Sequence, residues 1–357
     1  MAEALLEARN LMWKIQNKTI IDVDTFRVFP GDHAALIGPN GSGKSSLIKI
    51  LAFLQQPTSG QVNFRADDNK RSIIEKRRSM AVIFQEPLLL NMTVYDNVAY
   101  GLKIRNMRQN LQQRVEYWLE KLNISHLRKR FPKNLSGGEA QRVSIARAMA
   151  LEPEILFLDE PFTALDAPTK AQMLEDLSLL IKQSTMTSIF ITHDFAEIPF
   201  LADKVFVMSQ GRIVQEGSVE EVFYRPATEE VADLVGADNQ YEAILMDSCG
   251  EFCTIQLPKL HKIICKKDNN QVCYTPGKKY KAYIRSDDVA LGMEEMNTFR
   301  GRVQRISPHG LQYKLQIDCG FNISIVISKQ QFLHVKPSIG GELTINIPPD
   351  MVHLIEV

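Results

Sequence analysis

The sequence predicts an α/β domain on a parallel sheet over residues 1–237, followed by a smaller all-β, OB-like domain over residues 238–357. Three observations predict it. Short, continuous apolar runs alternate with helix-like stretches as far as about residue 235. A glycine-rich octapeptide stands between one such run and a helix. Beyond Gly236-Ala237-Asp238-Asn239 the texture changes to short alternating runs divided by turn residues. A chain of 357 residues also exceeds what one hydrophobic core organises, so length alone favours two domains.

The runs are Ala34-Ala35-Leu36-Ile37, Met80-Ala81-Val82-Ile83-Phe84, Ile155-Leu156-Phe157-Leu158 and Ser188-Ile189-Phe190-Ile191. Four or five apolar residues without a polar alternate are what a strand covered on both faces shows, and that is the habit of a parallel sheet. Residues 111–123 are charged and amphipathic, hence helical. Residues 168–182 open with Pro168, which the first turn of a helix tolerates. In the second domain, residues 241–246 and 252–257 alternate around Asp247-Ser248-Cys249-Gly250, a hairpin signal. Further strands are expected over 281–285, 302–306, 312–317, 322–327, 342–347 and 352–357, making a small barrel or sandwich.

Composition excludes several functions. Lys plus Arg number 42 and Asp plus Glu number 42, so net charge is zero. That argues against nucleic acid as a partner and against a polybasic hold on lipid. Membrane attachment must then come through protein partners. The N-terminus Met1-Ala2-Glu3-Ala4-Leu5-Leu6-Glu7 carries acids where a signal peptide carries a basic region, and no apolar run approaches the length of a spanning helix. A cytosolic location is expected. All five cysteines fall between Cys249 and Cys319, an odd number that argues against a disulfide framework. The spacing of Cys249, Cys253, Cys265 and Cys273 matches no common zinc pattern, and their apolar context predicts buried thiols.

The octapeptide is Gly38-Pro39-Asn40-Gly41-Ser42-Gly43-Lys44-Ser45, preceded by the strand 34–37 and followed by a helix over 46–54. This is the P-loop pattern in its strand–loop–helix setting. Its glycines let successive backbone N–H groups turn inward on phosphate oxygens, and the positive end of the helix adds to that field. Lys44 supplies a point charge for the β- and γ-phosphates, and Ser45 a hydroxyl for Mg²⁺. Downstream, the apolar strand 155–158 ends in Asp159-Glu160. Asp159 is placed to hold Mg²⁺ through its water shell, and Glu160 to polarise the attacking water. ATP and Mg²⁺ are the expected substrate and cofactor of a P-loop NTPase.

Leu135-Ser136-Gly137-Gly138-Glu139-Ala140-Gln141-Arg142 resembles the signature of ATP-binding-cassette (ABC) nucleotide-binding domains. The resemblance covers roughly residues 5–235, with the motifs in the family's order. It implies a head-to-tail dimer, as a homodimer or a paired cassette, in which Ser136, Gly137, Gly138 and Glu139 of one copy face the ATP held by the other. A serine hydroxyl, bare glycine N–H groups and a helix start suit an anion, and Ser136 equally suits the cap of that helix. By the same resemblance Gln85 contacts Mg²⁺ or the attacking water, and Asp166 communicates across the dimer. His193 contacts the γ-phosphate and steadies Glu160. Ser46 stands in the cradle where threonine is common. Trp13 occupies the place of an aromatic that stacks on adenine, although an aromatic there also serves as core. The apolar residues 86–95 follow Gln85, where the family receives a short helix from a membrane permease subunit; part of this stretch could be core.

The β-rich tail resembles the TOBE/Mop-like accessory domain of importer ATPases, which work at the cytoplasmic face of the membrane with integral permeases and, indirectly, an extracytoplasmic solute-binding protein. Ile284-Arg285-Ser286-Asp287-Asp288-Val289 resembles one of its strands, with serine in place of proline. Asn297-Thr298-Phe299-Arg300-Gly301-Arg302-Val303 and Met351-Val352-His353-Leu354-Ile355 look most like the molybdate/tungstate type. Ferric ion, sugar and polyamine importers are the competing readings, and a non-transport ABC ATPase the rival from another class. Some relatives use this domain to bind the oxyanion and stop transport. Pro348-Pro349 here replaces a cation and a backbone donor, which argues against that role, and the other reading is that the domain only packs the dimer together.

Overall fold

The computed structural model describes residues 3–65, 71–257, 261–267 and 274–356. Met1, Ala2, Cys273 and Val357, which the sequence reading touches, lie outside the described residues. The chain divides into two compact units, Met1–Val219 and Glu220–Val357.

In chain order the first unit runs β1 (Leu6–Ile15), β2 (Lys18–Val28), β3 (His33–Ile37), α1 (Lys44–Leu51), β4 (Ser59–Phe64), α2 (Ile73–Arg78), β5 (Met80–Ile83), α3 (Val94–Ile104), α4 (Leu111–Lys121), α5 (Gly137–Met149), β6 (Ile155–Asp159), α6 (Ala167–Lys182), β7 (Thr187–Ile191), α7 (Ile198–Leu201), β8 (Lys204–Ser209) and β9 (Arg212–Ser218). The main sheet has the order β5-β6-β7-β3-β8-β9 and is parallel except for the last pair. The four apolar runs are its four adjacent strands β5, β6, β7 and β3. Ala34, Leu36, Ile155, Phe157, Ile189 and Ile191 enter a core shared with β1, β2 and α1. The intervening Ala35, Leu156, Leu158 and Phe190 are just as buried, on the opposite face by the period of two. Cover on both sides is why apolar residues dominate these strands; the buried Thr187 and Ser188 that open β7 have hydrogen-bond partners in the Gly31 N–H and His33 Nδ1.

A second sheet, β2-β1-β4, is antiparallel and has no counterpart in the sequence reading, which names no strand before residue 34. Its strands are only half covered. Glu7 on β1 pairs with Arg9 and with Arg27 on β2, while Leu6, Ala8 and Leu11 point into the core. The charged residues hide the strands from a search for apolar runs.

The second unit comprises α8 (Val219–Tyr224), α9 (Glu229–Leu234), β10 (Asn239–Cys249), β11 (Phe252–Gln256), β12 (Lys262–Lys266), β13 (Lys279–Ile284), β14 (Ala290–Leu291), β15 (Thr298–His309), β16 (Gln312–Asp318), β17 (Asn322–Ile327), α10 (Lys329–Val335), β18 (Glu342–Asn346) and β19 (His353–Glu356). Two five-stranded antiparallel sheets, β12-β11-β10-β13-β19 and β14-β18-β15-β16-β17, contribute to one core. The unit begins ahead of the expected boundary at 237/238 because α8, α9 and the segments beside them bond to its strands. Ala232 and Ala237 pack on Tyr283, Arg285 donates to the Val235 carbonyl at 2.8 Å, and His353 meets the Pro226 carbonyl at 2.9 Å. The thiols of Cys253, Cys265 and Cys319 are buried as expected, but Cys249 is exposed, since it ends β10 at the hairpin turn. Among the described residues no three or more His, Cys, Asp or Glu side chains gather where they could hold a metal ion, and no helix is long and apolar enough to cross a membrane.

Candidate active site

Strand register gathers the site. Leu36 on β3 lies beside Ile191 on β7, Ile191 beside Asp159 on β6, and Leu158 beside Ile83 on β5. These residues lie within one step of a single row at the carboxyl ends of four parallel strands. The chain leaves that row into the loops bearing Gly38, His193, Glu160 and Gln85, which is where open α/β sheets bind ligands.

The glycine-rich loop is shaped by its close neighbours. A Cβ at Gly38 would lie 2.0 Å from the Met208 carbonyl oxygen, with φ at +151°. At Gly43, the cap of α1, φ is +106° and a Cβ would lie 2.9 Å from Ile21 Cδ1. Only glycine fits either place. Lys44 is 6% exposed and its ammonium donates to the carbonyls of Gly38 and Pro39, both at 2.9 Å. Burial pulls its pKa down, against the charges of Glu160 and Asp159. The Ser42 hydroxyl is buried without a protein hydrogen-bond partner, which is what a loop built to receive an oxyanion would show.

Ser45 Oγ donates to Asp159 Oδ1 at 3.0 Å, joining the first turn of α1 to the end of β6. Burial and the adjacent Glu160 push the Asp159 pKa up, against the pull of Ser45 and the two lysines. The acid is thus held ready for a cation at a cost. Because its folded pKa is raised, ionisation disfavours the fold as pH rises above the unfolded value. Asp159→Asn is therefore expected to raise stability at neutral pH by about 1 kcal/mol while abolishing ATP turnover. A thermal melt alongside an ATPase assay checks both halves, and a lowered Tm would contradict the burial argument.

Glu160 follows with φ at +46°, uncommon for a residue with a side chain. Its N–H donates to the Ile191 carbonyl at 3.1 Å, which ties the turn to β7. Its Oε2 accepts the Thr163 hydroxyl at 3.2 Å and lies 3.3 Å from His193 Nδ1. The two loops after β6 and β7 thus meet through a carboxylate–imidazole contact, with Lys44, Ser45 and Asp159 alongside.

The remaining predicted residues are placed differently. Gln85 is exposed beyond the end of β5. Trp13 on β1 is half-buried against the core of the first unit. Ser46 lies in the first turn of α1. Asp166 is the cap residue of α6, its carboxyl held low by the Thr169 hydroxyl. Ser136 caps α5 in a capping box: its Oγ accepts the Glu139 N–H at 3.3 Å, and Glu139 Oε2 accepts the Ser136 N–H at 2.7 Å. The Glu139 carboxylate, whose pKa the Ser136 bond lowers, is therefore occupied in the cap. A Cβ on Gly138 would meet Thr169 Cγ2 at 2.7 Å, so this turn lies against the start of α6. Among the described residues, no hydrogen bond or ion pair joins Ser136–Gly138 to the Lys44–Glu160–His193 group.

Several supporting residues carry no sequence signal of their own. Asn97 on α3 is fully buried and holds the segment after Gln85: its Oδ1 accepts the Leu90 N–H at 2.9 Å, and its Nδ2 donates to Leu90, Met92 and Thr93 carbonyls at 3.0–3.1 Å. Arg147 on α5 donates to the carbonyls of Pro87 and Leu88 at 3.0 Å. Asn97→Leu is expected to destabilise the chain by about 3 kcal/mol, since it strands several buried loop groups. Urea unfolding measures it, and a loss below about 1 kcal/mol would mean water satisfies them instead.

Residues 21–163 match the ABC transporter family. The molybdate/tungstate import ATP-binding protein WtpC of Thermococcus kodakarensis is 43% identical over 221 residues, 62% of this chain and 67% of that one. The spermidine/putrescine import ATP-binding protein PotA of Treponema pallidum is 32% identical over 343 residues, 92% of this chain and 90% of that one. Among solved structures, the ATP-binding cassette MJ0796, a dimer in a post-hydrolysis state with ADP and Pi, superposes with a TM-score of 0.54 at 26% identity, covering 60% of this chain and 98% of that one. The chain belongs to the ABC transporter family, as an importer ATP-binding subunit. It binds and hydrolyses ATP.

Proposed function

We propose that two such cassettes close head to tail on ATP at the cytoplasmic face of a membrane, driving integral permease subunits that import molybdate, tungstate or a related oxyanion. The observation that supports the oxyanion reading is that, over about two thirds of the chain, two oxyanion importer subunits stand at 43% (WtpC) and 39% (the sulfate/thiosulfate subunit CysA of Photorhabdus laumondii) identity. Over 92% of the chain a WtpC and the polyamine subunit PotA are level, at 33% and 32%, so the polyamine reading stands as the alternative. The dimer reading is supported by the signature turn, where Ser136 and the bare N–H groups of Gly137 and Gly138 open α5, an arrangement that suits a phosphate and, among the described residues, shares no hydrogen bond with the Lys44 group. A partner's phosphates would complete its donor set.

Within one cassette, the grouping of Lys44, Ser45, Asp159, Glu160 and His193 supports the following roles. Lys44 and the loop N–H groups bind the β- and γ-phosphates. Ser45 and Asp159, 3.0 Å apart, would hold Mg²⁺ with help from Gln85. The ion would neutralise phosphate charge when bound. Glu160 accepts the proton of the attacking water, and His193 orients the carboxylate while reaching the γ-phosphate. Trp13 offers the adenine an aromatic face.

The test is ATPase activity of the assembled transporter in proteoliposomes, with binding protein loaded in turn with molybdate, tungstate, sulfate or spermidine. Stimulation by the oxyanions alone is expected. Stimulation by spermidine alone would replace the cargo, and ATPase that ignores every permease would point to a non-transport cassette.

A further inference from the structure

The loop that carries His193 is anchored by Lys170, a residue outside the phosphate cradle, the signature turn and the Asp159-Glu160 pair. Lys170 lies four positions after Asp166 in α6. Its Nζ is 2.7 Å from Asp194 Oδ2 and 2.5 Å from Glu197 Oε1. The Glu197 side chain is 5% exposed, and its other oxygen accepts the Thr192 hydroxyl at 2.6 Å. Thr192 Oγ1 in turn accepts the Asp194 N–H at 2.9 Å, and Asp194 Oδ1 accepts the Ala196 N–H at 3.0 Å. Both neighbours of His193 are therefore fixed. One cation on α6 balances the two carboxylates, one of them almost wholly buried.

We propose that Lys170 is a positioning residue for His193, tying the loop 192–197 to the helix that begins at Asp166. The inference rests on the reading of His193 given above and adds the element that sets where the imidazole sits. His193 itself is bonded only lightly. Its side chain is 56% exposed, and its contact with Glu160 is 3.3 Å. Its location is thus set by the backbone on either side. That backbone is held by Thr192, Asp194 and Glu197, and two of those three converge on Lys170. Since Lys170 shares α6 with Asp166, a displacement at the start of that helix reaches the histidine through two charge-assisted bonds. A buried carboxylate cannot simply turn to water when the cation moves away, which makes the tie stiff.

The sequence holds the outline of this device without showing it. Lys170 reads as one more exposed helix charge, and Glu197 as a polar residue after a loop. Only the fold reveals that Glu197 is buried and that the lysine is its counter-ion.

The experiment compares Lys170→Met, Lys170→Arg and Lys170→Met/Glu197→Gln in the full chain, each also in a His193→Ala background. Lys170→Met is expected to lower kcat for ATP on the order of 10²-fold, as a misplaced group does, with KM within about 3-fold of the original. Lys170→Arg, whose fork reaches both carboxylates, restores most of kcat. The double variant removes both charges together, so it folds even if Lys170→Met does not, and it shows the same kcat loss. In the His193→Ala background, the Lys170 change has no further effect. Wild-type kcat in Lys170→Met, or an undiminished extra loss without the histidine, overturns the inference while leaving the role of His193 standing. Wild-type turnover in His193→Ala alone overturns that role and this inference with it.

Discussion

Glu160→Gln is expected to reduce ATP turnover by about 10²–10⁴-fold, the usual worth of a positioned general base, and to leave ATP binding intact. Glutamine keeps the size of the side chain and can still accept the Thr163 hydroxyl that now meets Oε2 at 3.2 Å. It cannot accept the proton of the attacking water. The fold should not object, because the tie to β7 is a backbone bond from Glu160 N–H to Ile191, independent of the side chain. If two cassettes close on ATP, blocking hydrolysis removes the step that opens them, and ATP-bound dimers accumulate. Light scattering with and without ATP reads the mass directly. Retained turnover would remove Glu160 from the role of base. Lost turnover with monomers under saturating ATP would instead count against the closed pair.

Much of this site is legible in the sequence, and the reason is physical. The cradle Gly38–Ser45 must have glycine where Met208 and Ile21 crowd the backbone, lysine where a charge must be buried, and a strand and helix on either side. Such constraints leave a pattern in contiguous residues. The four strands β5, β6, β7 and β3 are equally plain, since cover on both faces selects apolar residues along most of their length. What the sequence hides is whatever depends on distant pairing. The half-covered β1 and β2 carry Glu7, Arg9 and Arg27 on their open side, so no apolar run announces them. The helices α8 and α9 look like the tail of the first domain because composition changes after them, yet their partners are Tyr283, Arg285 and His353. Asn97, Arg147 and Lys170 are ordinary residues in ordinary helices until the loops they hold are folded against them. Motifs record local chemistry; the supports around them are written across the whole chain.

Lys44→Ala is expected to weaken ATP binding by roughly two orders of magnitude in Kd, about 3 kcal/mol, and to take turnover below detection. The ammonium is the central cation of the cradle, buried to 6% exposure and fixed by the Gly38 and Pro39 carbonyls. Its removal leaves two backbone acceptors without their donor, and leaves Asp159 and Glu160 without a cation that now offsets their repulsion. Bringing a triphosphate beside two uncompensated carboxylates is electrostatically unfavourable, so the loss should exceed that of one hydrogen bond. Lys44→Arg should recover little. A planar guanidinium is too bulky for a pocket formed by the loop's own carbonyls, and charge alone is insufficient there. Equilibrium binding of a fluorescent ATP analogue, with Tm measured in parallel, separates the cradle's role from folding. An alanine variant that binds ATP as the parent does would mean that the backbone N–H groups and the start of α1 suffice to hold the phosphates, with Lys44 serving the loop rather than the ligand.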